Sequence, residues 1–277
     1  MANPWTLRRL AAPLAALVGL GALASGCSAE DVLGTGSDEP DRPGPHLVVL
    51  GDASVDQSDG GAFARAVEAV AGETADARGR VDVATFQRNA LATIDWPIAQ
   101  RFAIRPGIPE GNSTLVRADL EAQAKDVATG AAALLRNRSA QEGTDVVGAL
   151  LAASDRVRSV GWAGPRVVVL VSNAIAVSQP DGLNLKKRAQ LTDSGIAKAI
   201  KRLRKNDKIA DLSGVCVVVV GAGQDDGATL PTSQQLGLRR FWERYLRAAN
   251  AREVVWAARL DGLPSCAADP VASPATG

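Results

Sequence analysis

The chain has 277 residues, enough for one large domain or two small ones. Its 46% apolar and 22% charged residues exclude a wholly disordered or collagen-like chain. Lys and Arg number 31 against 30 Asp and Glu, so bulk charge gives no reason to expect nucleic-acid binding. A single histidine, His46, means that a Ser-His-Asp triad, a Cys-His pair or a multi-histidine metal site uses that residue or does not exist.

The amino terminus reads as an export signal. Arg8 and Arg9 precede the apolar run 10–24, which is short for a membrane span and is interrupted by Pro13 and glycines. Leu23-Ala24-Ser25-Gly26-Cys27 then resembles the lipobox of bacterial lipoproteins. The resemblance implies cleavage after residue 26 and lipidation of Cys27, placing the protein on the extracytoplasmic face of the cell membrane; ordinary cleavage after Ala24, leaving a free thiol, is the alternative. Two acyl chains hold a protein on a bilayer where one does so only marginally. Loss of residues 1–26 removes two arginines and no acid, leaving a formal charge of −1. Residues 28–45 are rich in Gly, Pro, Ser and Asp without periodicity. With Cys27 they form an expected tether with a reach of roughly 20–25 Å.

From His46 onward, apolar β-branched runs alternate with helical patterns. Strands are expected at 47–51, 81–86, 90–95, 166–172, 214–221 and 253–258, and helices at 61–72, 115–137, 144–158, 192–205 and 233–250. The nearly all-apolar runs 166–172 and 214–221 suit strands covered on both faces of a parallel sheet. Runs 81–86 and 90–95 are only a few residues apart and predict a hairpin with an antiparallel edge strand. The pattern predicts an α/β, doubly wound, mostly parallel sheet over 46–262, followed by a loose tail over 263–277. In an exported, oxidising compartment Cys216 and Cys266 are a possible disulfide, although a buried thiol at Cys216 fits its apolar strand equally well.

Ligands of such sheets bind beyond the carboxyl ends of strands. There the first strand ends in Gly51-Asp52-Ala53-Ser54-Val55-Asp56, with oxygen side chains at alternating positions. Glu142-Gly143-Thr144-Asp145 precedes a helix, and the fourth strand ends in Ser172-Asn173-Ala174. Carboxylate, hydroxyl and carbonyl oxygens are what Mg²⁺ or Mn²⁺ takes as ligands. In its loops and their order along the chain, residues 46–260 resemble the von Willebrand factor type A domain, whose metal-ion-dependent adhesion site uses a DxSxS loop, a Thr before a helix and an Asp after the fourth strand. The resemblance implies strand order 3-2-1-4-5-6 and metal-site residues Asp52, Ser54 and Thr144. It departs in having Asp56 for the second loop Ser and Asn173 for the last Asp, so carboxylate count is kept while its position moves. Asp56 then occupies the position of a partner's carboxylate. The same side-chain types also cap turns and helices without any ion.

VVLGDASVD also resembles the first block of SGNH/GDSL esterases, which would make Ser54 a nucleophile. The C-terminal DxxH block that supplies the base there is missing, and His46 lies at the far end of the strand, about 15–20 Å away by strand rise. No catalytic residue is therefore assigned. Residues 186–208 hold Lys186, Lys187, Arg188, Lys198, Lys201, Arg202, Arg204, Lys205 and Lys208 against Asp193 and Asp207. Ile196, Ile200 and Leu203 give this segment an apolar stripe with the cations opposite, which reads either as a solvated face or as an anionic-surface patch. Phe241, Trp242, Tyr245 and Leu246 read as core. The expected function is binding of a protein partner in the cell envelope, not turnover, either through a cation or as a metal-free scaffold docking by loops or by the basic helix; no nucleic-acid partner is expected.

Overall fold

The computed structural model describes residues 43–53, 60–136, 143–225 and 228–268. The predicted signal, lipidated Cys27 and most of the tether, together with Ser54 and Asp56, lie outside these residues.

Six strands form the central sheet: β1 (His46–Asp52), β2 (Arg80–Phe86), β3 (Ile98–Arg101), β4 (Arg166–Val171), β5 (Val215–Val220) and β6 (Glu253–Ala257). Their spatial order is β3-β2-β1-β4-β5-β6, with β3 antiparallel to β2 and every other pair parallel. This is the mostly parallel α/β sandwich with one antiparallel edge that the sequence pattern predicts. β1, β4 and β5 are buried almost throughout because helices cover both faces. Helices α4 (Val146–Val160), α5 (Asp193–Lys205) and α6 (Thr232–Ala248) share a core with Val48, Leu50, Leu170 and Val217. On the other face α1 (Gly60–Asp76) and α3 (Ser113–Arg136) pack on Leu47, Val49, Val81 and Val169.

The edge strand is not at 90–95. Ala90–Thr93 forms a short helix, α2, and β3 begins at Ile98. Ala, Leu and Ala favour a helical turn, the preceding Asn89 takes a left-handed conformation at φ 57°, and the Ala90 N–H is held by the Asp145 carboxylate at 2.9 Å. The true edge strand, Ile98-Ala99-Gln100-Arg101, alternates half-buried with exposed residues and carries little apolar signal.

The folded chain also extends past both expected boundaries. Trp162 Nε1 donates to the Gly44 carbonyl at 2.7 Å, and Arg80 N donates to Pro45 O at 2.9 Å, so residues 44–45 belong to the domain and not to the tether. At the other end, residues 263–268 are packed and not loose. Leu263 N donates to Glu73 Oε2 at 2.9 Å, and Cys266 is buried and disulfide-bonded to Cys216 of β5, with Cα atoms 6.2 Å apart. Cys266 and Ala267 pack into the same core as Val169 of β4 and Val218 of β5.

His46 and Asp82, both wholly buried, meet near the amino edge of the sheet, where His46 Nε2 lies 2.8 Å from Asp82 Oδ2. Arg80 and Arg156 also donate to that carboxylate, at 2.8 and 2.9 Å, and the Arg156 guanidinium lies over Trp96. Burial pushes the Asp82 carboxyl up, but the hydrogen bonds from His46, Arg156 and Arg80 outweigh it and hold it well below the usual carboxylate range. Its folded pKa is thus below the unfolded value. The stability it contributes is complete above about pH 4 and is lost as pH falls further.

Three outcomes follow in unfolding experiments. Asp82→Ala, which strands three buried or half-buried donors, costs about 3–5 kcal/mol in urea unfolding. Asp82→Asn flattens the loss of stability on the acid side of pH 4. Opening the 50-residue disulfide loop in a Cys216→Ala/Cys266→Ala variant lowers unfolding free energy by up to about 4 kcal/mol.

Candidate functional site

At the carboxyl edge of the sheet the ladder hydrogen bonds run out, and side chains take over. Asp52 closes β1 and is nearly buried. Its Oδ2 accepts from Ser172 Oγ, just beyond β4, at 2.6 Å, the short O–H···O⁻ distance of a charge-assisted bond. Ser172 Oγ in turn accepts from Ala174 N at 3.0 Å, so this hydroxyl ties the first-strand loop to the fourth-strand loop.

Asn173 is buried beside them, but its Oδ1 accepts from Ile175 N at 2.8 Å. One lone pair of the predicted ligand is thereby engaged by its own loop, in the manner of an Asx turn. Ala174 sits at φ 60°, an uncommon conformation for a residue with a Cβ. It is held there on both sides, by the bond to Ser172 and by Trp242 Nε1, which donates to the Ala174 carbonyl at 2.8 Å. The aromatic stripe of α6 is therefore core, as its spacing predicts, and one member also fixes a loop of the rim.

Thr144 reaches the same rim by two routes. Its carbonyl accepts from Val177 N at 3.0 Å, in the loop after β4. Its neighbour Asp145 donates its N–H to the Gln87 carbonyl at 3.1 Å, while Gln87 Nε2 donates to Ala53 O at 3.0 Å, directly after Asp52. Asp52, Thr144 and Asn173 thus lie on three loops joined by hydrogen bonds at one end of the sheet. α4 begins at Val146, not 144, because Asp145 is its cap: Oδ1 accepts from Gly148 N at 2.8 Å and Oδ2 from Ala90 N. Burial pushes the Asp145 carboxyl up, with only partial relief from those two N–H donors.

For a hard cation the donor types are right at Asp52 and Thr144. Asn173 keeps one lone pair, and Asp145 is committed to capping. The other two predicted ligands, Ser54 and Asp56, lie outside the described residues. Among the described residues one group of three metal-capable side chains lies close together, Cys216, Glu253 and Cys266, and its two sulfurs are already joined in the disulfide.

Gln87 and Ser172, which join the rim loops, carry no motif signal; their roles depend on contacts between residues 34 and 120 positions apart. Asp145 was readable as the last polar residue before a helical pattern. The nine cations at 186–208 do not act alike. Arg202 donates to the carbonyls of Asp181 and Gly182 at 2.9 Å, whereas Lys198, Lys201, Arg204 and Lys205 lie on the exposed side of α5, opposite buried Ile196, Ile200 and Leu203.

The fold and rim together define a doubly wound α/β domain with a polar carboxyl-end cluster. The sequence matches no protein-family profile and no curated protein. Among solved structures, the pilus adhesin SpaC from Lactobacillus rhamnosus GG in its open conformation is similar at 11% identity and a TM-score of 0.41, over 77% of this chain and 28% of the adhesin. The human COPII-coat protein Sec24c is similar at 13% identity and a TM-score of 0.36, over 79% of this chain and 30% of Sec24c. The chain spans less than a third of either protein, and its architecture is assigned here on strand order and register.

Removing the cap tests the organisation of the rim. Asp145→Ala is expected to lower unfolding free energy by about 1–2 kcal/mol at neutral pH. Because the folded pKa of Asp145 is raised, the deficit relative to wild type grows as pH falls through that raised value.

Proposed function

We propose that the chain is a lipid-anchored, extracytoplasmic binding module whose carboxyl-end rim receives an acidic group of a protein partner through a divalent cation. The observation that supports this most directly is the joining of Asp52, Thr144 and the Ser172–Asn173 loop at one end of the sheet. Asp52 and Thr144 supply the described ligands, Ser54 and Asp56 complete the shell, and Asn173 contributes its remaining lone pair. The cation would supply a positive charge at the rim for a carboxylate. The role of the chain is to orient the oxygens, with Ser172 fixing the Asp52 carboxylate and Trp242 fixing the loop behind it. Turnover by a serine nucleophile has no support in the position of His46, which is buried against Asp82 at the opposite edge.

One observation favours a metal-free scaffold as the second reading. Asp52 Oδ2 and Asn173 Oδ1 both have protein donors, as in a rim that satisfies itself. Thermal unfolding of the full chain with Mg²⁺, Mn²⁺ or EDTA separates the two. The cation reading expects a saturable rise in midpoint, equivalent to about 2.7 kcal/mol at a hundredfold excess over Kd, and loss of the rise in Asp52→Ala. An unchanged midpoint with either metal assigns the rim to the scaffold reading. The anchor is tested separately by the intact mass of the membrane-extracted protein, which should begin at a diacylated Cys27 and shift to an unprocessed precursor in Cys27→Ser.

A further inference from the structure

The cations of α5 do not end with α5. Helix α6 packs beside it, and Arg244 and Arg240 reach across to Asp193 at the start of α5, at 3.0 and 3.7 Å. The two helices therefore present one surface. With Arg239, Arg240, Arg244 and Arg247 of α6, the nine cations of 186–208 make thirteen, against Asp193, Asp207 and Glu243. In a chain of formal charge +1 this is a concentrated local excess of ten positive charges, 13 minus 3.

Internal pairing does not account for the surface. Arg239 pairs with Glu243, Arg188 donates to Ser233, and Arg202 holds the 181–182 turn. Among the described residues, Lys198, Lys201 and Lys205, spaced on one face of α5, and Arg204 beside them have no hydrogen-bond or ion-pair partner. Helix-dipole stabilisation explains cations in the last turn only, and Lys198 and Lys201 stand before it.

We infer that the α5–α6 face docks the domain onto an anionic phospholipid surface. The face lacks what other polyanion or protein partners need. The aromatic residues of α6, Phe241, Trp242 and Tyr245, are buried, and the half-buried Trp256 beside it is already covered by the Arg239 guanidinium at 5.6 Å, which leaves little platform for stacking bases. Its one exposed large apolar side chain among the described residues is Leu236, near the start of α6, so the apolar centre of a protein interface is missing as well. Long, flexible cations spread over two adjacent helices suit a charged plane that offers many equivalent phosphates.

The inference deepens the anchored-module reading and rests on it for its setting. A tether of about 20–25 Å keeps the face near the bilayer at high effective concentration.

The test uses residues 28–277, which carry neither the export signal nor a lipid, in flotation with vesicles of pure phosphatidylcholine or of phosphatidylcholine containing phosphatidylglycerol. Binding is expected to be at least tenfold stronger with phosphatidylglycerol in low salt, to disappear in 0.5 M NaCl, and to fall at least tenfold in Lys198→Glu/Lys201→Glu/Lys205→Glu. The milder Lys→Gln triple covers a folding defect in the reversal variant, and Arg117→Glu/Lys125→Glu on α3 should leave binding unchanged. Equal binding to both vesicle types, indifference to the α5 substitutions, or binding to polyglutamate but not to phosphatidylglycerol vesicles would overturn the inference. Failure of lipidation at Cys27 is read from the wild-type mass alone and does not enter the flotation result.

Discussion

A parallel sheet covered on both faces gives its backbone no access to water, so every N–H and C=O must find a partner inside the protein. Along the strands the ladders do this. At the carboxyl edge they stop, and the three loops that leave β1, α3 and β4 have to be satisfied by side chains. Ser172, Asn173, Asp145 and Gln87 do that work here, and the same bonds that rescue backbone groups bring Asp52 and Thr144 to a common rim. The polar character of the candidate site is therefore first a consequence of the fold. Binding chemistry has to be built from the lone pairs that remain.

The two ends of the sheet settle their buried carboxylates differently. Near the amino edge, Asp82 is surrounded by donors from His46, Arg80 and Arg156, and charge complementarity outweighs its desolvation. Near the carboxyl edge, desolvation of Asp145 prevails over the Gly148 and Ala90 N–H donors and the charge of Lys208. One end is electrostatically closed. At the other, burial leaves the Asp145 carboxyl raised.

Much of this was legible in the chain. Unbroken apolar runs marked β4 and β5, and the spacing of helices between strands implied the crossovers, whereas the strand order followed only from the resemblance of the loops to a known family. The edge strand was misplaced because ALATID has an apolar pattern that a left-handed Asn89 and a distant Asp145 turn into a helical turn, whereas Ile98–Arg101 pairs through its backbone with little apolar signal. The acid in RVDVATF passed as part of a strand, because the partners that make Asp82 important, 36 and 74 positions away, come together only in three dimensions. The Cys216–Cys266 bond resolves an ambiguity that composition leaves open, since the apolar strand around Cys216 suits a thiol as well as a bridge.

The clasp of Trp162 on Gly44 has a mechanical consequence. Chain preceding Pro43 feeds directly into β1, a central strand bonded along its length to β2 on one side and β4 on the other. A pull along that strand's axis loads both ladders in shear, so many bonds must yield together instead of peeling one at a time. At the opposite terminus, the disulfide secures the last described residues to β5. A domain threaded in this way is suited to bearing tension through its leading segment without unravelling.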